Sequence, residues 1–131
     1  MAMTSISDAA RNAMCDALTA LFDAGGAGTM ELQVAPSTEV ATLTFSATAF
    51  GVSGAVNPGE CVSAAVTSDT SATGNASAVD QAECKNNAGT RLFLLSAGTS
   101  GTDVILSTAI IGAGATVSMA LGGMTITVPA A

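Results

Sequence analysis

The stretch Met30-Glu-Leu-Gln-Val34 alternates apolar and polar residues, and Val40-Ala-Thr-Leu-Thr-Phe45 repeats the alternation with a second apolar face. A period of two places successive side chains on opposite faces of a β-strand. Pro36-Ser37 separates the two stretches and marks a break between them. These residues therefore predict two strands, each with one face toward a core.

Short apolar segments separated by turn-forming residues continue along the rest of the chain. They are 52–56, 61–67, 76–83, 90–97, 104–106, 110–111, 117–119 and 124–128. Lys85-Asn-Asn-Ala-Gly89 is typical of a hairpin turn, with Lys85 as a solubilising charge at the tip. Eight or nine short antiparallel strands at this spacing predict a mainly β domain over residues 29–129, built as a β-sandwich or a jelly-roll-like fold.

One segment near the N-terminus has a helical period. Apolar residues recur there every three or four positions, on a face formed by Ile6, Ala10, Ala13, Met14, Ala17, Leu18, Leu21 and Phe22. Ser5 or Ser7 can cap the start of the helix, and Gly25-Gly26 can end it. The sequence thus predicts a single domain over residues 1–131, with an amphipathic α-helix at 7–24 ahead of the β-domain.

Composition excludes several classes of function. The 131 residues include 3 Lys or Arg, 10 Asp or Glu and no His, Trp or Tyr, and the formal net charge is −7. Three cations are too few for a nucleic-acid surface, which neutralises phosphates with Lys and Arg. Without His the commonest general base and zinc ligand is missing, and without Trp or Tyr a sugar loses its usual stacking platform.

Residues that carry chemistry are sparse and scattered. Asp80 and Glu83 are close in sequence, but nothing in the pattern around them indicates a cleft that would perturb their pKa values. Asp69, Asp80 and Asp103 lack the spacing of a calcium loop, and no Lys follows a glycine cluster as in a phosphate loop. We therefore predict no enzymatic activity, no catalytic residue, no cofactor and no metal.

The cysteines and the N-terminus bear on the compartment. Cys15, Cys61 and Cys84 have no CxxC spacing and are interpreted as buried thiols, with a Cys61–Cys84 disulfide left open. The N-terminus lacks the basic region of a signal peptide, and no apolar run reaches the roughly 18 residues of a membrane span. We expect a chain made in the cytoplasm that has no membrane partner.

Three pieces of the sequence together resemble a family of small tailed-phage and prophage proteins. The pieces are Ile6-Ser-Asp-Ala-Ala-Arg-Asn-Ala-Met-Cys-Asp-Ala-Leu18; Ala41-Thr-Leu-Thr-Phe-Ser46 with Ala49-Phe-Gly51; and Gly98-Thr-Ser-Gly-Thr-Asp-Val-Ile-Leu106 with Gly114-Ala-Thr-Val117 and Met124-Thr-Ile-Thr-Val-Pro129. The sequence departs from the family at 35–38 and 76–83, so surface contacts at those positions are not carried over.

The resemblance implies a non-enzymatic structural component of the virion. Within that class, we expect a capsid decoration (cement) protein on the outer capsid surface, made in the bacterial host cytoplasm, that stabilises the head shell. The expected partners are other copies of the chain, as a homotrimer, and the phage major capsid protein, with no nucleic acid. A tail, neck or baseplate component and a carbohydrate-binding or adhesin module are the alternatives.

Some apolar residues are placed where a small core does not need them. Leu92-Phe-Leu-Leu95 is a continuous apolar run, which is typical of a strand buried on both faces or covered by another subunit. The apolar helix face can pack on its own sheet or on a neighbour. The candidate subunit-interface residues are Ile6, Met14, Leu18, Leu21, Phe22, Leu92 and Leu94.

Overall fold

The computed structural model of the chain describes residues 4–120 and 122–130. The elements are α1 (Asp8–Asp23), β1 (Thr29–Val34), β2 (Thr38–Phe45), β3 (Glu60–Val62), β4 (Val66–Thr67), β5 (Gln81–Lys85), β6 (Arg91–Gly98), β7 (Val104–Ile105) and β8 (Thr125–Thr127). The domain is mainly β with one N-terminal helix, as the sequence predicts. Residues 1–3, 121 and 131 of the predicted domain lie outside the described residues.

Six of the strands form one sheet. Their order is β4-β2-β1-β5-β6-β7, and β3 pairs with β8 in a separate two-stranded sheet. The pairs are antiparallel except β6 with β7, which is parallel. The large sheet is therefore mixed, and it curls as a half-barrel rather than forming the fully antiparallel sandwich or jelly roll of the prediction.

Four predicted strand segments differ in the structure. Segment 61–67 divides into β3 and β4, because Ser63 N donates to Met124 O on the β8 side while Ala64 N already donates to Ala49 O. Segments 52–56 and 110–111 form no strand, and segment 117–119 contributes only an isolated bridge. The backbone groups of residues 109–117 form hydrogen bonds with the loop at 69–79 instead. Alternation over two or three residues is too short to distinguish a strand from such a loop.

The core lies on the inner face of the large sheet, which is covered by the C-terminal end of α1, by β3 and by residues of the segment 117–126. The four Phe residues of the chain meet there: the Phe22 ring lies 4.7 Å from that of Phe45 and 5.6 Å from that of Phe50, both edge to face, and it stacks on Phe93. Such aromatic pairs add specific geometry to apolar burial. They fix the C-terminal end of α1 over the sheet.

The ends of α1 follow the predicted signals. Ser7 is the N-cap, its hydroxyl oxygen accepting from Ala10 N at 3.3 Å. After the helix, Gly25 and Gly26 have positive φ angles, which glycine adopts without steric cost. Among residues 4–120 and 122–130, no helix is long and apolar enough to cross a membrane.

Candidate functional site

The outward side of α1 is apolar. Of the eight exposed residues of the helix, six are apolar and two are acidic: Ala9, Ala13, Met14, Ala17, Ala20 and Leu21, with Asp8 and Asp16. Met14 is 41% exposed and Leu21 is 55% exposed. We call the six apolar residues the outer face of α1.

The inward side of α1 carries polar groups that fasten the rest of the fold. Arg11 Nε donates to Val128 O at 2.9 Å, and Asn12 Oδ1 accepts from Gly59 N at 2.7 Å. At the other end of the helix, Asp23 Oδ1 accepts from Ala49 N at 2.8 Å. The inward side therefore combines these polar groups with the buried side chains of Cys15 and Phe22, and the outward side is more apolar than is usual for an amphipathic helix.

The structure distributes the seven candidate interface residues over three environments. Met14, Leu21 and Leu94 are exposed; Ile6, Leu18 and Leu92 are partly buried; and Phe22 is fully buried. Phe22 belongs to the core because it packs among the other Phe rings, so it is not available on a surface. Leu94 is 51% exposed, since it lies on the side of β6 that faces away from the core.

A second polar arrangement lies on the outer face of the large sheet. Glu31 on β1 stands directly opposite Glu83 on β5, a placement of like charges that is unfavourable by itself. Gln33 Nε2 donates to both carboxylates at 2.8 Å, and Lys85 Nζ lies 3.0 Å from Glu31 Oε2 and 3.9 Å from Glu83 Oε2. The amide and the ammonium together hold the two carboxylates side by side.

The electrostatics of this group follow from its contacts. Burial opposes ionisation of the Glu31 carboxyl, but hydrogen bonds from Gln33 and Lys85 outweigh it, so the pKa of Glu31 lies below its usual value. The hydrogen bond to Glu31 raises the pKa of Lys85. Lys85 is thus a partly buried ion-pair partner at the end of β5, and its interpretation as a solubilising charge at a hairpin tip is wrong.

The carboxylates of the chain are mostly engaged in holding loops and strand ends. Nine of the ten accept a hydrogen bond from a described residue, and Asp16 is the exception. Asp80, a candidate acid in the sequence, accepts from Ala35 N at 2.8 Å. An acid–base pair needs a carboxyl free to exchange a proton with a substrate. These engaged carboxylates instead stabilise the fold.

The three cysteines are free and buried. Cys61 lies beside Cys15 and not beside Cys84, and burial together with the hydrogen bond to Cys15 raises the pKa of Cys61 to about 12. Burial and the nearby Glu83 raise the pKa of Cys84 to about 12 as well. A thiol with a raised pKa is a poor nucleophile at neutral pH. The Cys61–Cys84 disulfide left open by the sequence is absent.

A cavity of about 630 Å³ lies between the inner face of the large sheet and residues 117–120 and 123–126. Its lining is mainly aliphatic side chains with Met30, Met119 and Met124, and Asp103 is the one charged residue among the described residues that line it. The Asp103 carboxylate accepts from the backbone N and the hydroxyl of Ser96, which lowers its pKa. No second titratable group faces it there.

Within the part of the chain that the structure describes, no three His, Cys, Asp or Glu side chains are grouped so that they could hold a metal ion. Comparison of the chain with models of known protein families, with curated proteins and with solved structures finds no match.

Sequence reasoning found the apolar run in β6 and the apolar helix face but missed how each is oriented. Arg11, Asn12 and Asp23 fall within about 120° of one another around the helix axis, which could have indicated that they share a side and bond to the rest of the fold. One feature of the sequence could have indicated the polar group around Gln33. Glu and Gln occupy the polar positions of β1 and β5, so pairing of those strands brings them together.

Proposed function

We propose that this chain is a non-enzymatic structural protein of a tailed-phage virion, and that it acts as a capsid decoration (cement) protein on the outer surface of the head. The outer face of α1 is the observation that carries the proposal. A helix that faces water places mainly charged and polar side chains outward, whereas this one presents Ala, Met and Leu with only two acidic residues, Asp8 and Asp16. Such a face is suited to a lasting protein neighbour.

The way the chain uses its titratable groups supports a structural role over catalysis. Nearly all carboxylates hold backbone amides or side chains of the same chain, as described above. The thiols are buried with raised pKa values. The resemblance to phage structural proteins points the same way.

The size of the α1 face favours a lattice over an isolated pair. A helix of 16 residues is about 24 Å long and about 10 Å wide, so the face measures about 240 Å². A stable protein pair buries about 800 Å² on each side. One face is therefore too small alone, while a homotrimer that presents three such faces to a shell of major capsid protein gains from multivalency.

The acidic charge fits a place outside the shell. Arg11 contacts Asp8 and Val128 O, Lys85 contacts Glu31, and Arg91 Nε lies 4.0 Å from Glu83 Oε1, so each of the three cations has a partner within the chain. A surface with so little free positive charge should not bind DNA at physiological salt. No nucleic acid is therefore proposed as a partner.

The test is the copy number of the chain in purified virions, measured by mass spectrometry against the major capsid protein. A decoration protein is present in hundreds of copies, whereas a neck or baseplate protein is present in about a dozen, since those structures are small closed rings. A particle with about a dozen copies would move the assignment to the neck or tail. Virions without the chain would contradict the proposal.

A variant pair connects the test to α1. Leu21→Asp places a charge on the outer face, and we expect the folded protein to lose its association with particles. Val56→Asp is the matched control, because Val56 is also a large exposed apolar residue but lies in the loop between β2 and β3. If both variants bind particles equally well, the outer face of α1 is not the docking surface.

A further inference from the structure

Strand β6 is paired on one side and largely open on the other. Its inner neighbour is β5, and on the outer side β7 pairs only with Ala97 and Gly98. Among the described residues, no strand lies beside the stretch 92–96 on that side. Strand edges with unpaired backbone groups are templates for pairing with another chain.

Two hydrogen bonds fix which backbone groups point outward. Ser96 N donates to Asp103 Oδ2 at 3.0 Å, and Leu106 N donates to Gly98 O at 2.7 Å, both on the side away from β5. Backbone groups of alternate residues point to the same side of a strand. The N–H and C=O of Leu94 therefore point outward, and neither has a partner among the described residues.

The side chains around Leu94 are unusual for this molecule. Leu94 is half exposed, and Arg91 at the start of the same strand has a side chain that is 54% exposed. Arg91 pairs across the hairpin with Lys85, so two of the three cations of the chain lie at this end of β5 and β6. Glu31 and Glu83 offset these two cations, since Lys85 Nζ lies 3.0 Å from Glu31 Oε2 and Arg91 Nε lies 4.0 Å from Glu83 Oε1.

The local charge at this edge does not oppose contact between copies of the chain. Two molecules of net charge −7 repel each other, and the repulsion is weakest where cations offset the carboxylates locally. At this end of β5 and β6 the two cations and the two carboxylates carry no net charge together. Net repulsion between two copies therefore does not oppose an approach along this part of the β6 edge.

We propose that the Leu94 edge binds a second copy of this chain, by antiparallel pairing of β6 with β6 of the partner subunit about a two-fold axis at Leu94. The Leu94 N–H donates to the C=O of the partner's Leu94, and the reverse bond forms by symmetry. The open stretch is short, because Asp103 covers Ser96 at one end and the hairpin turn precedes Arg91 at the other. A long strand has little room there, whereas a short self-complementary pairing fits.

This contact goes beyond the proposed function and is separate from the α1 face. A two-fold contact at β6 would join one oligomer to the next, leaving the outer face of α1 for the shell. Because it consists of a short pairing, it should be weak in solution and strengthened by a lattice.

Hydrogen exchange measured by NMR on the full chain tests the contact directly. We expect the Leu94 amide to exchange at least about tenfold more slowly at about 500 µM protein than at about 10 µM, because only the associated form protects it. The Phe93 and Leu95 amides face β5 and should exchange slowly at both concentrations. Equal Leu94 exchange at the two concentrations would overturn the proposal, even if the chain proves oligomeric through another surface.

Variants at Leu94 test the same contact by sedimentation. Leu94→Pro removes the outward N–H without touching the ladder to β5, and Leu94→Lys adds a charge to the edge. Both should raise the dissociation constant of the two-fold contact by about tenfold or more. Val52→Lys is the matched control, since Val52 is 80% exposed in a loop.

If Leu94→Lys folds and associates like the Val52→Lys control, the proposal is wrong, whatever Leu94→Pro does to folding. Protection of the Leu94 amide that appears only on particles would identify the shell protein as the occupant instead of a second copy. That outcome would overturn the two-fold contact and leave the decoration function standing. A high copy number in virions with unprotected Leu94 would do the same.

Discussion

The outward backbone groups on the two long edges of the large sheet differ in how many have hydrogen-bond partners. On the β2 edge, Asp69 Oδ2 accepts from Thr42 N at 2.9 Å, Gly74 N donates to Val40 O at 3.0 Å, and β4 pairs with the end of the strand. On the β6 edge, Asp103 covers Ser96 in the same manner, yet Leu94 stays open. Carboxylates and loops thus supply hydrogen-bond partners to backbone groups on both edges, but they do not do so at Leu94.

The two sides of α1 repeat this contrast. The inward side bonds to loops and strand ends through Arg11, Asn12 and Asp23, while the outward side offers apolar atoms and almost no hydrogen-bonding groups. The inward groups therefore stabilise the fold, and we propose that the outward apolar surface serves assembly. Substitutions on the inward side should therefore change stability, and substitutions on the outward side should change assembly.

The largest effect is expected at the covered β2 edge. Asp69→Ala removes acceptors for Thr42 N and for Ser71 N, and the loss of two hydrogen bonds to a charged group should lower the free energy of unfolding by about 2 kcal/mol. Chemical denaturation measures it. Asp16→Ala is the control, because the Asp16 carboxylate accepts no hydrogen bond from a described residue. Equal losses in the two variants would contradict the role of Asp69.

A smaller effect is expected on the inward side of α1. Asn12→Ala leaves Gly59 N without its acceptor, and it should lower the free energy of unfolding by about 1 kcal/mol. Leu21→Asp on the outward side should change it by less than about 0.5 kcal/mol, since surface substitutions seldom do more. Thermal melts of the two purified variants check this ordering. A large loss in Leu21→Asp would mean that the outer face packs within the fold.

The smallest effect is a dependence on acid. The pKa values of Glu31 and Asp103 lie below their usual values in the folded chain, so between the folded and unfolded pKa values the unfolded chain binds more protons. The stabilisation is therefore present above about pH 5 and lost as the pH falls through the folded pKa values. Melting temperatures from pH 7 to about pH 3 should show a shallower decline in Glu31→Gln than in the unchanged chain. An unchanged slope would show that Glu31 does not contribute to the pH dependence of stability.

Much of the fold could be predicted from local pattern. The helix expected at 7–24 is α1, Asp8–Asp23, because capping residues and glycines mark its ends. The alternating stretch 30–34 lies within β1, and the turn 85–89 joins β5 to β6. These features depend on residues near each other in sequence, where propensity and period act directly.

The surfaces could not be predicted from local pattern, because they depend on pairing between strands that are far apart in sequence. Predicting the role of Lys85 would have required knowing that β1 lies beside β5, which brings Glu31 within reach. The open edge at Leu94 required knowing that β7 pairs only with the last residues of β6. The parallel direction of that pair was also outside local pattern, since residue spacing does not give strand direction. Long-range pairing thus decides which predicted apolar residues are core and which are surface.

We propose that the exposed surfaces of this chain stabilise a phage head, and thermal melting of phage particles is the direct test. Heads that carry the chain should melt or burst at a higher temperature than heads that lack it, because removing the chain removes lattice contacts. Heads supplied with Leu21→Asp should behave like heads without the chain, while those supplied with Val56→Asp should match the intact ones. Identical melting curves with and without the chain would contradict the claim.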